Sequence, residues 1–191
     1  MKRFVIAVLA TLAAAGGAHA QYGGVRGILG MGLTTGGDTL ASIQYTDGST
    51  DDIRAGGLVH VYGGLEVRLT PQVTMQGTFG YQVDDTGSNA NGALRFSRYP
   101  FELLAHFQIN PYMRIGGGAR FVSDARVSGS GVLSGVEVDY GSTTGAVIEG
   151  EVLVMPNIGL KLRAVSERYT PSAGGPSADG NHVGFYLNWY L

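Results

Sequence analysis

The sequence of 191 residues contains no cysteine, and only 15% of its residues are charged. The missing cysteine excludes a disulfide framework, a zinc site with cysteine ligands and thiol catalysis. Proline is also scarce, at six residues, whereas glycine is abundant, at 32, without the Gly-X-Y period of collagen. Ten tyrosines and seven phenylalanines argue against a disordered low-complexity chain. The composition therefore indicates a folded chain, rich in glycine and aromatic residues and poor in charge.

The only long apolar run lies at the N-terminus, where Lys2 and Arg3 precede twelve apolar residues that begin at Phe4. Such a run spans about 18 Å as a helix, too short for a bilayer core of about 30 Å. Small residues follow it at the positions that a signal peptidase reads. The sequence therefore predicts a secretory signal peptide over 1–20 and one exported domain over 21–191. Loss of the two basic residues leaves an acidic domain, which is unsuited to binding nucleic acid.

The rest of the chain shows a repeat of period two, which predicts β-strands with two chemically different faces. Near residue 60, for example, Val59, Val61 and Leu65 lie on one face, whereas His60 and Glu66 lie on the other. The same alternation occurs in eight segments, which begin at Val25, Leu58, Val73, Tyr99, Met113, Ala146, Ile158 and Val183. We therefore expect eight strands.

The connections between these segments alternate between short and long. Three short connections contain proline, which has no donor for a sheet ladder, and lie at 70–72, 110–112 and 155–157. Four long connections are rich in polar residues and glycine and lie at 35–57, 84–93, 123–142 and 171–181. This pattern is typical of outer-membrane barrels. The predicted fold is all-β: an eight-stranded antiparallel up-and-down transmembrane β-barrel with short periplasmic turns and long extracellular loops.

The cost of desolvation predicts which face meets lipid. A charge on the lipid face costs about 2–4 kcal/mol at the bilayer midplane, so the apolar face should point outward. A soluble eight-stranded barrel, which is the alternative, would have the opposite arrangement. Acids and bases mix on the charged face, and aromatic residues gather near strand ends, which favours the membrane. These aromatic residues are Tyr81, Tyr99, Phe101, Phe107, Tyr112, Trp189 and Tyr190.

The charged face predicts a filled lumen. An eight-stranded barrel is just wide enough for side chains, and an unpaired buried ion costs several kcal/mol. The inner charges should therefore pair into a network that leaves no open pore. The predicted network consists of Arg26, Glu66, Arg68, Glu102, Arg114, Arg120, Glu149, Glu151, Lys161 and Arg163. Glycines on the same face, among them Gly30 and Gly32, would make room for these long side chains.

The signal segment, the eight strands, the proline turns and the polar loops resemble the small outer-membrane barrels of Gram-negative bacteria, of the OmpA transmembrane-domain and OmpX type. The last strand resembles the assembly signal of that family at His182, Gly184, Leu187 and Trp189, although many members end on phenylalanine and this chain ends on leucine. The resemblance implies a location in the outer membrane. It also implies outer-membrane lipid, lipopolysaccharide and the outer-membrane assembly machinery as partners, and no cofactor.

Some barrels of this size modify lipid A, and the deacylases among them resemble one another in a His-x-Ser pair with a nearby acid. No histidine of this chain has serine two residues later. An enzyme of this kind would need a set such as His182, Ser166 and Glu167 to assemble in space, and it stays the alternative to a barrel without catalysis. The adjacent aspartates at 51–52 and 84–85 lack the spacing of a calcium loop, so we predict no metal site.

The first long loop carries a strand signal of its own. Leu40, Ile43 and Ile53 flank Asp47-Gly48, and Asp-Gly is a strong signal for a tight hairpin. A protruding hairpin is therefore predicted over 39–54, with an edge that could pair with another chain. The expected function is envelope structure, or surface interaction and adhesion through the loops, with the 39–54 hairpin as the candidate site for a surface ligand.

Overall fold

The structure, a computed structural model, describes residues 24–44, 50–86 and 92–191. The predicted signal peptide and the Asp47-Gly48 turn lie outside these residues. The described strands are β1 Val25–Gly36, β2 Thr39–Gln44, β3 Thr50–Arg54, β4 Leu58–Arg68, β5 Val73–Asp85, β6 Gly92–Asn110, β7 Met113–Gly131, β8 Glu137–Asp139, β9 Thr143–Met155, β10 Ile158–Ser166, β11 Arg168–Tyr169, β12 Ala178–Asp179 and β13 His182–Tyr190. No helix in the described ranges is long and apolar enough to cross a membrane.

Eight of these strands close into an antiparallel barrel, in the order β6, β5, β4, β1, β13, β10, β9 and β7, with β7 pairing back to β6. The predicted all-β fold with eight barrel strands is confirmed. The apolar faces of the strands point outward, as the alternation predicts. Exposed apolar side chains on this surface include Val25, Leu29, Met31, Leu33, Val61, Leu65, Phe79, Phe107, Ile115, Ile148, Leu162, Phe185 and Trp189.

The remaining five strands lie at the end of the barrel opposite the proline turns, which is the extracellular end in barrels of this type. β2 pairs with β3, from Thr39 opposite Arg54 to Gln44 opposite Thr50. The two strands of the predicted 39–54 hairpin are therefore present. β8 continues the sheet beside β7, and β11 pairs with β12.

The third long connection differs from the prediction. β6 and β7 are each 19 residues long and stay paired up to Gly92 opposite Gly131. The predicted loop over 123–142 was therefore wrong for its first half, which is strand. Serine, glycine and aspartate made this segment look irregular, but the ladder with β6 holds it extended.

A β-bulge in β7 changes the direction of its side chains. Ser97 lies opposite Arg126 and Tyr99 lies opposite Ser123, so two residues of β7 face one residue of β6. Asp124, one of the two, has a positive φ of 51°. One extra residue reverses the alternation of a strand. Above the bulge Ala125 and Val127 are buried, whereas below it the buried positions are even-numbered.

The bulge allows a small apolar core to form above the lumen. Its buried members come from four strands, β3, β6, β7 and β11, and from the segment after β3: Ile53, Ala55, Leu94, Phe96, Val122, Ala125, Val127 and Tyr169. Phe96 packs edge-on against Tyr169, with ring centroids 5.5 Å apart. We call this core and the segments that form it the cap. The molecule thus has a charged interior within the membrane and an apolar interior above it.

Candidate functional site: a charged lumen beneath a folded cap

The lumen contains two chains of ion pairs. The chain nearer the periplasmic end links Arg26, Glu66, Arg114 and Glu151. Glu66 lies 2.6 Å from an Arg26 nitrogen and 2.6 Å from an Arg114 nitrogen. Arg114 also lies 2.7 Å from Glu151. Glu66 comes from β4 and Arg114 from β7, three strands away around the barrel, so their contact crosses the lumen.

The second chain lies nearer the cap and includes six residues. Its contacts are Lys161 to Glu149 at 2.5 Å, Glu149 to Arg163 at 2.7 Å, Arg163 to Glu102 at 2.8 Å, Glu102 to Arg120 at 2.8 Å and Arg120 to Glu167 at 2.9 Å. The Arg163 to Glu102 contact joins β10 to β6 across the lumen. All six side chains are at least 95% buried.

The register of the sheet explains these partners. Arg26 lies directly opposite Glu66, Glu102 opposite Arg120, and Arg114 opposite Glu151 on adjacent strands. Directly opposite side chains on one face of a sheet are close enough to interact, and opposite charges there are favourable. Nine of the ten residues predicted for the lumen network therefore lie in one of the two chains.

Arg68 is the exception, and its placement in the network was wrong. It is the last residue of β4, it is exposed, and it makes no ion pair with any residue that the structure describes. The aromatic girdle needs a similar correction, because Tyr190 is buried in the lumen, where its hydroxyl contacts Glu151 and Arg114. Arg68 and Tyr190 both lie at the end of a strand, where the alternation of the sequence does not indicate whether a side chain is buried or exposed.

Several further lumen residues, which the predicted network does not include, complete the ion-pair chains. His106 lies 2.6 Å from Glu149, and Gln76 donates to Glu66 at 2.6 Å. The Tyr62 hydroxyl donates to the Asn188 side chain at 2.5 Å. All of them occupy inward positions of the alternation, which was the available signal.

Glycines make room for the tyrosines of the lumen. A Cβ atom on Gly30 would lie 2.2 Å from the Tyr62 ring, and one on Gly32 would lie 2.2 Å from the Tyr186 ring. Both distances are far below van der Waals contact, so a larger residue at either position would displace a ring. This is the crowding that an eight-stranded barrel imposes.

The set proposed for lipid A chemistry does not assemble in this geometry. His182 Nδ1 lies 3.6 Å from Glu167 Oε1, and both side chains are buried. Ser166, however, is exposed, because adjacent residues of a strand point to opposite faces. Ser166 therefore does not lie beside His182 and Glu167.

The residues of the predicted assembly signal lie on the two faces of β13. His182 and Gly184 point inward, whereas Leu187 and Trp189 are exposed on the outer, apolar face. This placement fits a strand whose hydrophobic residues face lipid. A role in assembly stays a prediction.

The cap contains one buried cation that the lumen network does not include. Arg98 is fully buried, and its Nη2 donates to the Gly57 carbonyl at 3.2 Å. Its guanidinium carbon lies 4.8 Å from the centroid of Phe96 and 5.7 Å from that of Tyr169, which is within cation–π range. No carboxylate of the described residues forms an ion pair with it. Aromatic faces take the place of an acid here.

Burial changes the pKa of two tyrosines of the cap. Burial raises the pKa of Tyr169, because its ionised form would lose hydration, and burial raises the pKa of Tyr140 for the same reason. The Tyr169 hydroxyl donates to Glu167 at 2.7 Å. Tyr169 therefore connects the apolar core of the cap to the upper chain of lumen ion pairs.

No protein-family model and no curated protein sequence matches the chain significantly. Two crystal structures of Ail, the attachment invasion locus protein of Yersinia pestis, share its architecture. The Ail complex with the heparin analogue sucrose octasulfate is 14% identical, and the alignment covers 90% of this chain and 100% of that chain with a TM-score of 0.54. The second Ail structure is 13% identical and covers 89% of this chain and 99% of that chain, with a TM-score of 0.51.

The chain has the fold of the small outer-membrane barrels. The closed ring of eight strands, the apolar outer surface and the likeness to Ail agree on this architecture. The resemblance to the small eight-stranded outer-membrane barrels is confirmed at the level of the fold. Fold alone does not fix activity, which depends on the lumen, the cap and the extracellular surface.

Proposed function

We propose that this protein is a non-conducting outer-membrane barrel that anchors a folded extracellular cap for interactions at the cell surface. The observation that carries the proposal is the pair of ion-pair chains that cross the lumen. The contacts of Arg114 with Glu66 and of Arg163 with Glu102 join strands that are three apart around the ring. The apolar core of the cap adjoins the upper chain of the same lumen, where the Tyr169 hydroxyl donates to Glu167 at 2.7 Å.

The energetics support a sealed barrel. Each acid in the two chains contacts at least one arginine or lysine at 2.5–2.9 Å. An ion that entered the lumen would have to replace these contacts, and breaking a buried pair costs about 3–5 kcal/mol. Such a barrel suits a role as a rigid support more than a role as a channel.

The extracellular surface supports a role in binding, with a preference for positive charge. The exposed and partly exposed acids at this end are Asp38, Asp51, Asp52, Asp85, Asp124, Glu137, Asp139 and Asp179. The arginines are Arg54, Arg95, Arg126 and Arg168. One Ail structure contains a sulfated heparin analogue. An excess of carboxylates disfavours such a polyanion on this chain and favours a cationic partner.

Single-channel recording in planar bilayers tests the sealed lumen. The native protein should give no large, steady conductance step. A barrel with both Glu102→Ala and Arg163→Ala should leak, because these changes remove the upper of the two contacts that cross the lumen and leave a gap in the six-residue chain. The exposed variant Glu137→Ala is a matched control and should stay closed. A steady conductance from the native protein would contradict the proposal.

The surface role is tested with nanodiscs that carry the protein, passed over immobilised polylysine and immobilised heparin. We expect retention on polylysine, weakened by deletion of residues 39–54, and no retention on heparin. Unchanged retention after the deletion would remove the 39–54 hairpin from the proposal. Loss of a fatty acid from lipid A on overexpression, abolished by His182→Ala, would instead establish the enzymatic alternative.

A further inference from the structure

A groove of about 350 Å³ opens at the extracellular end, between the 39–54 hairpin and the top of the barrel wall. Four aspartates line it: Asp51 and Asp52 come from β3, and Asp84 and Asp85 come from β5. Arg54 is also part of its wall. The cavity is in the size range of sites for small organic molecules.

Asp84 differs from every acid of the lumen. Only 8% of its surface is exposed, yet it forms no ion pair with any arginine, lysine or histidine in the described part of the chain. Its Oδ2 accepts one backbone N–H, from Arg54 at 2.8 Å. A buried carboxylate without a cation is costly, and a ligand that brings positive charge would lower that cost.

The backbone beside Asp84 is fitted to its carboxylate. A Cβ atom on Gly57 would lie 2.5 Å from Asp84 Oδ2 and 2.9 Å from its Cγ. Glycine at 57 therefore lets the main chain approach the carboxylate closely and leaves it at the wall of the groove. The adjoining Gly57 carbonyl is the acceptor for Arg98, which links the groove to the cap.

The geometry disfavours a metal ion as the ligand. Among the described residues, no group of three or more His, Cys, Asp or Glu side chains is arranged to hold a metal. The carboxylates come from two different strands, β3 and β5. Asp85 is paired with Arg95 at 2.8 Å, and Arg54 adds a second positive charge. The four carboxylates and two guanidinium groups leave a formal charge of −2.

We propose that this groove binds a linear organic dication, with one ammonium group at Asp84 and the other at the Asp51 and Asp52 wall. Two charges on a flexible carbon chain match acidic side chains contributed by two strands, a net charge of −2 and a volume too large for one ion. The inference rests on the proposed function only in placing the groove outside the cell. Free diamines, polyamines and the side chains of a lysine-rich peptide share this chemistry.

Isothermal titration calorimetry on the full-length barrel in nanodiscs tests the proposal, with putrescine, cadaverine, spermidine, tetralysine and MgCl₂ as separate probes. We expect saturable binding of a diamine or polyamine that weakens as salt is raised, and no competition by equimolar Mg²⁺. Stronger binding of tetralysine than of the free amines would identify a peptide as the source of the dication. Displacement of the amines by equimolar Mg²⁺, or no binding at millimolar amine, would overturn the proposal.

Two variants locate the site. Asp84→Asn and the double variant Asp51→Asn, Asp52→Asn should each weaken binding at least tenfold. The double variant leaves the Asp84 contact with the Arg54 backbone in place, so it reports on the groove even if Asp84→Asn disturbs folding. Asp124→Asn is the matched control, because it removes an exposed carboxylate of the cap outside the groove, and its affinity should be unchanged. Equal affinity in all variants would mean nonspecific attraction and would overturn the proposal.

Amine binding in the groove and conductance through the lumen are tested separately. A barrel that conducts but binds diamines through Asp84 would contradict the sealed-barrel function and leave the groove intact. A closed barrel that binds no amine would contradict only the groove.

Discussion

The lumen and the cap hold buried cations in two different ways. In the lumen, Arg163 contacts two acids, Glu102 and Glu149, at 2.8 and 2.7 Å. In the cap, Arg98 is equally buried but lies against the rings of Phe96 and Tyr169. The same two strands, β6 and β7, run through both regions. The two regions differ because the outer face of this sheet meets lipid around the lumen, whereas it meets water around the cap.

Burial alone therefore does not determine whether an interior is charged or apolar. Lipid outside the barrel leaves the lumen as the place for charge, and water outside the cap leaves its centre as the place for apolar side chains. Stability should accordingly depend on ion pairs in one region and on packing in the other. Four substitutions probe that division.

The largest effect is expected from Glu102→Ala. This change leaves Arg120 and Arg163 without a shared acid, and removal of one partner from a buried pair costs about 3–5 kcal/mol. Urea unfolding in lipid vesicles should show the loss. The control Glu137→Ala, at an exposed pair with Arg126, should have no measurable effect. Equal losses in both variants would contradict the difference between the two regions.

A smaller and local effect is expected from Phe96→Ala. The ring packs on Tyr169 and Tyr140, and its removal should lower the stability of the cap by about 3 kcal/mol. Hydrogen exchange should accelerate at 122–127 and stay slow at 146–151 in the membrane. Uniform acceleration along the barrel would mean that the cap and the lumen unfold as one unit.

Tyrosine ionisation should affect the cap only at high pH. Because burial raises the pKa of Tyr169, the unfolded cap loses this proton first as the pH passes about 10. Stability of the cap is then constant below pH 10 and falls above it, by at most about 1.4 kcal/mol per pH unit. Hydrogen exchange between pH 9 and 11 measures the slope. Tyr169→Phe should reduce it, whereas the exposed Tyr112→Phe should leave it unchanged.

The smallest effect is expected from Arg98→Met. This cation has no carboxylate partner, and an apolar side chain of similar volume often replaces a buried charge at no loss. The free energy of unfolding should change by less than about 1 kcal/mol. Arg163→Met, in contrast, should lose several kcal/mol because it leaves Glu102 and Glu149 with fewer partners. A large loss in Arg98→Met would show that its contact with Gly57 holds the cap in place.

Alternation along the chain was enough to predict the barrel. It placed Glu66, Glu102 and Glu149 inside, and their cross-strand partners followed from the register. It also predicted the strands of the 39–54 hairpin, because Asp-Gly marks a turn between apolar residues. These features depend on local pattern and on a simple rule about lipid.

The alternation did not predict the apolar core of the cap. Its core joins Ile53, Phe96, Val127 and Tyr169, which come from distant segments that look polar or irregular in the sequence. Nothing in the local pattern around Asp124 indicates a bulge, so the inward direction of Val127 could not be read from the alternation below it. The prediction that Arg68 belongs to the lumen network was wrong for a related reason. At the end of a strand, both faces meet lipid headgroups and water, so the alternation no longer indicates which face is buried.

The bulge at Asp124 also limits how this region can change in length. Deletion of Asp124 alone would remove the bulge and keep Ser97 opposite Arg126 and Tyr99 opposite Ser123, so Arg126 and Val127 would keep their directions. Deletion of one residue above the bulge, such as Ser128, would instead turn the residues beyond it to the opposite face. A deletion of two residues would preserve the direction of every side chain and only lower the hairpin by about 7 Å. Insertions and deletions above the bulge should therefore be tolerated in even numbers, so that the height of the cap above the membrane varies in steps of two residues.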